Sequence, residues 1–237
     1  MPDIFASAIF QSSVFCVTTL LIYQIFSWMQ QKTSKIWLNP MLLSILVLIC
    51  ILLTFDITYS TYQQATWYLG KLLEPAVVAL GYPLYQHLRA MKAQWKKIFS
   101  LLTLASFLAI STSYIITMVI TQQMSVSVSL ALKSITTPIG IALTEQLNGN
   151  SSITAFAIII AGLVGAILGV KWLTFIHVTS PKAQGLAIGT ASHALGTATI
   201  SQISYLHAAY SSLALIVSAT ITAIIAPSLI GQIQSVF

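Results

Sequence analysis

GLAIGTASHALGTAT, residues 185–199, is the stretch on which the reading of this chain turns. Eleven of its fifteen residues are Gly, Ala, Ser or Thr, a histidine stands at its centre, and no Asp, Glu, Lys or Arg follows it. It is set in a chain otherwise made for lipid. The 237 residues are 57% apolar and 6% charged, with a mean hydropathy of +0.90, far from the averages of soluble domains. Apolar packing alone does not account for a histidine at membrane depth, where an ionisable group is costly.

A membrane-spanning helix needs about 20 mostly apolar residues. Charge-free runs at Ile4–Gln31, Ile36–Phe55, Ile98–Leu132, Gln146–Val170 and Ala183–Phe237 provide that length repeatedly. The expectation is an all-α integral membrane protein with about seven or eight membrane segments, some broken or re-entrant. It reads as one polytopic domain over 1–237, with N-terminal helices in 1–57, candidate repeat units in 58–120 and 121–180, and a broken segment plus last helix in 181–237. No basic residue precedes the first apolar run and no small-residue cleavage site follows it, so a cleaved signal peptide is not expected. Cys16 and Cys50 both lie in apolar runs, where a thiol acts as a small hydrophobe; neither a disulfide nor a metal site is expected.

The formal charge of +6 marks topology rather than nucleic acid. Lys32 and Lys35 follow the first run, and Arg89, Lys92, Lys96 and Lys97 precede the long run from Ile98; the positive-inside rule makes both loops cytoplasmic and the N-terminus external. Spans at about 5–28, 40–55, 60–88 and 98–120 then alternate in direction. Trp28, Trp37, Trp67 and Trp95 fall near the expected interfaces, where indole rings are favoured.

Polar residues at membrane depth remain to be explained. Lys71 and Glu74 lie in LGKLLEPAVVALGYPLYQ, interrupted by Pro75 and by Gly81-Tyr82-Pro83. Lys133 lies in SVSLALKSITTPIGIALTEQL, followed by Thr136, Thr137, Pro138 and Gly140. Aligning Glu74-Pro75 with Thr137-Pro138 gives an offset of 63 residues that also brings Leu80 onto Leu143. Each segment precedes a short loop and a long apolar helix. An internal repeat of Pro/Gly-interrupted spans is the sequence pointer to a transporter site. Broken helices expose backbone groups that lipid penalises, so they must face protein or a wet cavity, and their N-termini suit an anion. Parallel and inverted repeats both remain open, and Lys71 and Lys133 have snorkelling to an interface as their alternative.

On a continuous helix Gly185, Gly189, His193 and Thr197 share one face, with Gly185 and Gly189 as a small-residue contact and His193 bonded to a neighbouring helix. The sharper reading is that Gly189 and Gly196 let the segment unwind and present Thr190, Ser192, His193 and Thr197 to a cavity, His193 carrying a proton or donating to a carboxylate. His87, His177 and His207 sit at span ends, and Gly162, Gly165 and Gly169 form another packing face. An enzyme is not expected. Ser192 has no nucleophile elbow, adjacent helical residues point about 100° apart, and no phosphate loop, zinc spacing or cofactor motif is present, so no cofactor is expected.

The runs LEPAVVALGYPLYQHL (73–88), KSITTPIGIALTEQLNG (133–149) and GLAIGTASHALGTA (185–198) resemble the signature segments of the LrgB/CidB family, in order and without departure. The resemblance implies a bacterial inner-membrane protein, antiholin-like or holin-like, linked to murein hydrolase control and cell lysis and partnered with a smaller LrgA/CidA-type membrane protein. A related plant plastidal translocator implies glycolate and glycerate transport, and bacterial relatives imply pyruvate or similar acids. The combined expectation is a monocarboxylate transporter, with proton coupling as an option, whose site draws on Lys71, Glu74, Lys133, Thr136, Thr137, Thr190, Ser192, His193 and Thr197. An antiholin-like modulator of murein hydrolases is the alternative. Small-residue faces make a homodimer reasonable.

Overall fold

The computed structural model of this chain describes residues 2–33, 40–72, 75, 78–79 and 81–235. Lys35, Trp37, Glu74 and Leu80, singled out above, lie outside the described residues. All regular structure among the described residues is helical, as the composition requires, because only helices and closed barrels satisfy every backbone group in lipid. The chain divides into two compact units, Met1–Ala79 and Leu80–Phe237.

The first unit comprises α1 (Pro2–Thr33), α2 (Pro40–Thr54), α3 (Tyr59–Ala65) and α4 (Trp67–Lys71). The chain bends by 118° between α2 and α3, through Asp56 at φ 50°. Thr58 caps α3, its hydroxyl accepting from the Thr61 amide at 3.3 Å. Side chains then tie α3 to α1: the Thr19 and Tyr62 hydroxyls are 2.9 Å apart, and Tyr62 meets Phe15 edge to face at 5.8 Å. Both cysteines are unbridged. Within the expected span over 60–88 the helix is interrupted at Thr66 and again at Leu72, so α3 and α4 are short; residues 75 and 78–79 are helical, and α5 is described from Gly81. Gly81 and Pro83 are both helical, within Gly81–Ala93.

The second unit runs through α5 (Gly81–Ala93), α6 (Trp95–Thr121), α7 (Met124–Ala131), α8 (Thr137–Gln146) and α9 (Ser151–Val164). A π-helical turn, Gly165–Gly169, leads into α10 (Val170–Phe175), followed by α11 (Pro181–Ser201) and α12 (Tyr205–Gln234). Asn150 caps α9 by accepting from the Ser152 and Ile153 amides at 3.0 and 3.2 Å. The core is built on α12, which lies along α11 and packs against α5, α6 and α8. One apolar cluster joins Ile110 and Tyr114 of α6 to Leu132, Ile135, Ala226 and Ile230; another joins Met91 and Leu102 to Leu186, Tyr210 and Leu213. The opposite face of α6 exposes Leu101, Leu104, Ile116 and Ile120, the pattern of a helix with lipid on one side and protein on the other.

Among the described residues four helices are long and apolar enough to cross a membrane: Phe10–Thr33, Trp95–Thr121, Ser151–Phe175 and Tyr205–Gln234. The bent pair Pro40–Thr54 and Tyr59–Ala65 makes a fifth if it forms one span.

Glycines set the closest approaches. A Cβ on Gly185 would lie 2.9 Å from the His207 carbonyl oxygen, and one on Gly189 would overlap the Ser211 backbone. On the α9 side, Gly162 faces the His193 ring, Gly165 faces Ser192, and Gly169 faces Ile188. Both glycine faces therefore pack helices, as their spacing suggests. Gly189→Ala is expected to lower stability by about 1–3 kcal/mol. Gly231→Ala, with open space around it, should gain up to about 1 kcal/mol from helix propensity. Thermal unfolding of the two variants in detergent separates these outcomes; equal responses would contradict the contact at Ser211.

Candidate functional site

The second unit interrupts its helices at two places that matter for chemistry. α7 stops at Ala131, residues 132–136 are non-helical, and α8 restarts at Thr137 with Pro138 in its first turn. Thr136 is the cap residue of α8, but its side chain makes no cap bond. Gly140, expected to help the break, sits inside α8 with Ile158 of α9 packed against its bare Cα; the break needs only the proline and the short loop before it.

The second interruption falls within α11, and its position corrects the expectation. Gly189 and Gly196 are helical, and the residue that leaves helical geometry is His193, at φ 42° and ψ −138°. Both glycines are committed elsewhere, Gly189 to the Ser211 backbone and Gly196 to Ser192 and Ile188. A non-glycine residue in this region carries roughly 1–3 kcal/mol of strain and persists only where its surroundings enforce it. Here His193 is 3% exposed and its Nε2 donates to the Ile158 carbonyl at 2.8 Å. A carbonyl only accepts, so this bond places the proton on Nε2.

The two interruptions face common ground. Ile158 touches both, through its carbonyl to His193 and its side chain to Gly140. On another side Ser134 and Ile135 of the first break share a small cavity, about 10 Å³, with Thr190 of α11, Ser106, Ala109 and Ile110 of α6, Ala131 and Leu132, and Ser218 and Thr222 of α12. That volume admits about one water-sized group. Ser106 Oγ is buried there without a hydrogen-bond partner among the described residues. Lys133 directs its ammonium to Ser113 Oγ on α6, and its side chain is half-buried.

Hydroxyls also fix the interrupted pair α7 and α8. Thr144 and Thr154 are 2.8 Å apart, Thr154 donates to the Ser129 carbonyl at 3.3 Å, and Ser129 Oγ accepts from the Asn150 amide at 2.7 Å. These bonds join α7, α8 and the start of α9. Ser129, Thr144 and Asn150, with Ser106, Ser218 and Thr222, were not singled out from the sequence. Hydroxyls barely disturb hydropathy, and their partners are far away along the chain.

The remaining expected residues divide. Thr190 lines the cavity, with its own hydroxyl donating to the Leu186 carbonyl at 2.8 Å. Ser192 is buried against Gly165 and Gly196, and Thr197 is paired with Ser211 Oγ at 2.8 Å; neither lines the cavity. Lys71 belongs to the first unit, exposed at the end of α4, with its ammonium 5.6 Å from the Trp67 ring centre. It borders a cavity of about 420 Å³ shared with Thr19, Tyr59, Tyr62 and Thr66. Pro75 is exposed. His207, at the start of α12, has a packing role: Nε2 donates to Gln184 Oε1 at 3.0 Å and Nδ1 meets Ser204 Oγ at 2.9 Å. Among the described residues no three His, Cys, Asp or Glu side chains are grouped to hold a metal.

These features define a multi-pass α-helical membrane protein whose polar interior is built from interrupted helices. The chain belongs to the LrgB-like family, whose model matches residues 19–231. It is 33% identical over 221 residues to an uncharacterized protein of Haemophilus influenzae, covering 92% of this chain and 95% of that one. It is 33% identical over 220 residues to the holin-like protein CidB of Staphylococcus aureus, covering 93% and 96%. The uncharacterized protein YwbG of Bacillus subtilis is 27% identical over 213 residues. No solved structure matches the chain.

The strained histidine yields a direct test. His193→Ala keeps the backbone strain and leaves the Ile158 carbonyl unpaired, an expected loss of about 1–3 kcal/mol. His193→Gly loses the same bond but relieves the strain, and should be milder by about 1 kcal/mol. Unfolding midpoints of the two variants check the order; a less stable glycine variant would contradict it.

Proposed function

We propose that this protein acts in a bacterial inner membrane as a holin-like or antiholin-like modulator of murein hydrolase export, and so of cell lysis, together with a smaller membrane protein of the LrgA/CidA type. The observation that carries this reading is the match to a protein named holin-like, at 33% identity over 96% of that protein's length. A helix bundle with an inward polar core and a lipid-facing apolar shell suits a protein that works by associating with other membrane proteins. Self-association into a homodimer belongs to the same reading.

A second reading, transport of small monocarboxylates such as pyruvate, glycolate or glycerate, is favoured by one observation. Two interrupted helices meet within the protein beside Lys133, the arrangement that secondary transporters use at their binding sites. In that reading Lys133, with Thr136 and Thr137 at the α8 start, receives the carboxylate. Seven or eight crossings with an internal repeat, and proton coupling, belong to it as well. The cavity of about 10 Å³ is too small for a three-carbon acid, so the breaks must part to admit one.

Proteoliposomes separate the two. A modulator changes leakage of unrelated dyes and tolerates Lys133→Ala, whereas a transporter accumulates labelled pyruvate or glycolate above empty vesicles and loses about tenfold or more of that uptake with Lys133→Ala. Dye leakage unchanged from empty vesicles would overturn the modulator reading.

A further inference from the structure

We propose that the hydroxyl-lined cavity between α6, the α7–α8 break, α11 and α12 is a binding site for a monovalent metal cation of sodium's size. Five of its lining residues carry hydroxyls: Ser106, Ser134, Thr190, Ser218 and Thr222. Two of these have already committed their protons to their own helices. Thr190 donates to the Leu186 carbonyl at 2.8 Å, and Ser218 donates to the Leu215 carbonyl at 3.4 Å. A hydroxyl so engaged offers only lone pairs to anything else. It suits a cation and gives an anion no donor.

The local backbone has the same polarity. The residues of the break that line the cavity include Ala131 and Leu132, where α7 ends, while Thr136 and Thr137, where α8 begins, do not line it. The end of a helix carries its negative partial charge and its unpaired carbonyls. Unwound carbonyls and half-helix C-termini are the groups that coordinate sodium in broken-helix membrane proteins.

Ser106 supplies an independent indication. It is 3% exposed, and its Oγ has no partner among the described residues, although a buried polar group left unpaired is costly. Size and charge narrow the occupant. The volume fits one water-sized body, and the lining holds no carboxylate of the kind that divalent cations require. Lys133, next to Ser134, turns its ammonium to Ser113, one turn along α6 beyond Ala109, and is not part of the lining. The site stands independently of either functional reading above.

The test uses the purified full-length protein in detergent, freed of sodium in choline chloride and then titrated with NaCl at constant ionic strength. Binding only to the folded state raises the unfolding midpoint saturably. The expected result is a rise with sodium that equal potassium or choline does not reproduce. Ser106→Ala breaks no hydrogen bond among the described residues and so does not lower the midpoint in choline, but weakens the apparent sodium affinity by about tenfold. Thr222→Val, which keeps the shape and removes the oxygen, does the same. No sodium-specific rise in the parent protein, or an equal rise in both variants, overturns the proposal and leaves a single water as the occupant.

Discussion

α11 lies against α12 at backbone contact distance because Gly185 and Gly189 carry no side chain, and most of the second unit depends on that approach. Without a hydrophobic force between helices in lipid, association rests on close packing and interhelical hydrogen bonds. The approach supplies both. It brings Thr197 to Ser211 and Gln184 to His207, and it sets Thr190 opposite Ser218 and Thr222 across the small cavity. Once α11 is fixed, its other face meets Gly162, Gly165 and Gly169. His193 then has one place to go, between α9 and the core. The strained backbone at that residue is therefore a consequence of packing on both sides.

Nearly all the interior polarity is carried by neutral groups. Serines and threonines in α7, α8, α9, α11 and α12 bond to one another or to main-chain carbonyls, while Ser106 and Ser111 of α6 and Ser212 of α12 are buried without a partner among the described residues. This economy suits a low-dielectric surrounding, where a paired hydroxyl costs little and an isolated charge a great deal. It also makes the half-buried Lys133 conspicuous. The break that holds it is clamped by Ser129, Thr144, Thr154 and Asn150, so the lysine sits on a short loop between rigid attachments.

Much of this was legible in the sequence. Composition fixed the helical membrane class, and Pro138 after Thr136 and Thr137 located the first break, because proline has a defined place at a helix start. Gly185, Gly189 and the glycines at 162, 165 and 169 were readable as contact faces from their spacing alone. Spacing alone puts the unwinding of α11 on Gly189 and Gly196, because glycine tolerates any backbone geometry; the structure puts it on His193, since both glycines are needed for proximity. Such a choice depends on what lies across the interface, which sequence spacing does not encode. The cavity hydroxyls were hidden for the same reason: Ser106, Ser134 and Thr222 are separated by tens of residues and meet only in three dimensions.

The brevity of α7 and α8 bears on how the protein is made. At 8 and 10 residues and about 1.5 Å of rise per residue, neither reaches across a hydrocarbon layer of about 30 Å. Neither can leave the insertion machinery as an independent span. Their partners for burial include α12, which follows every other helix described here in the order of synthesis. Burial of the pair is therefore complete only once that helix has emerged. Assembly of the polar interior thus waits for α12, and a ribosome that stalls before Tyr205 leaves the break without its cover.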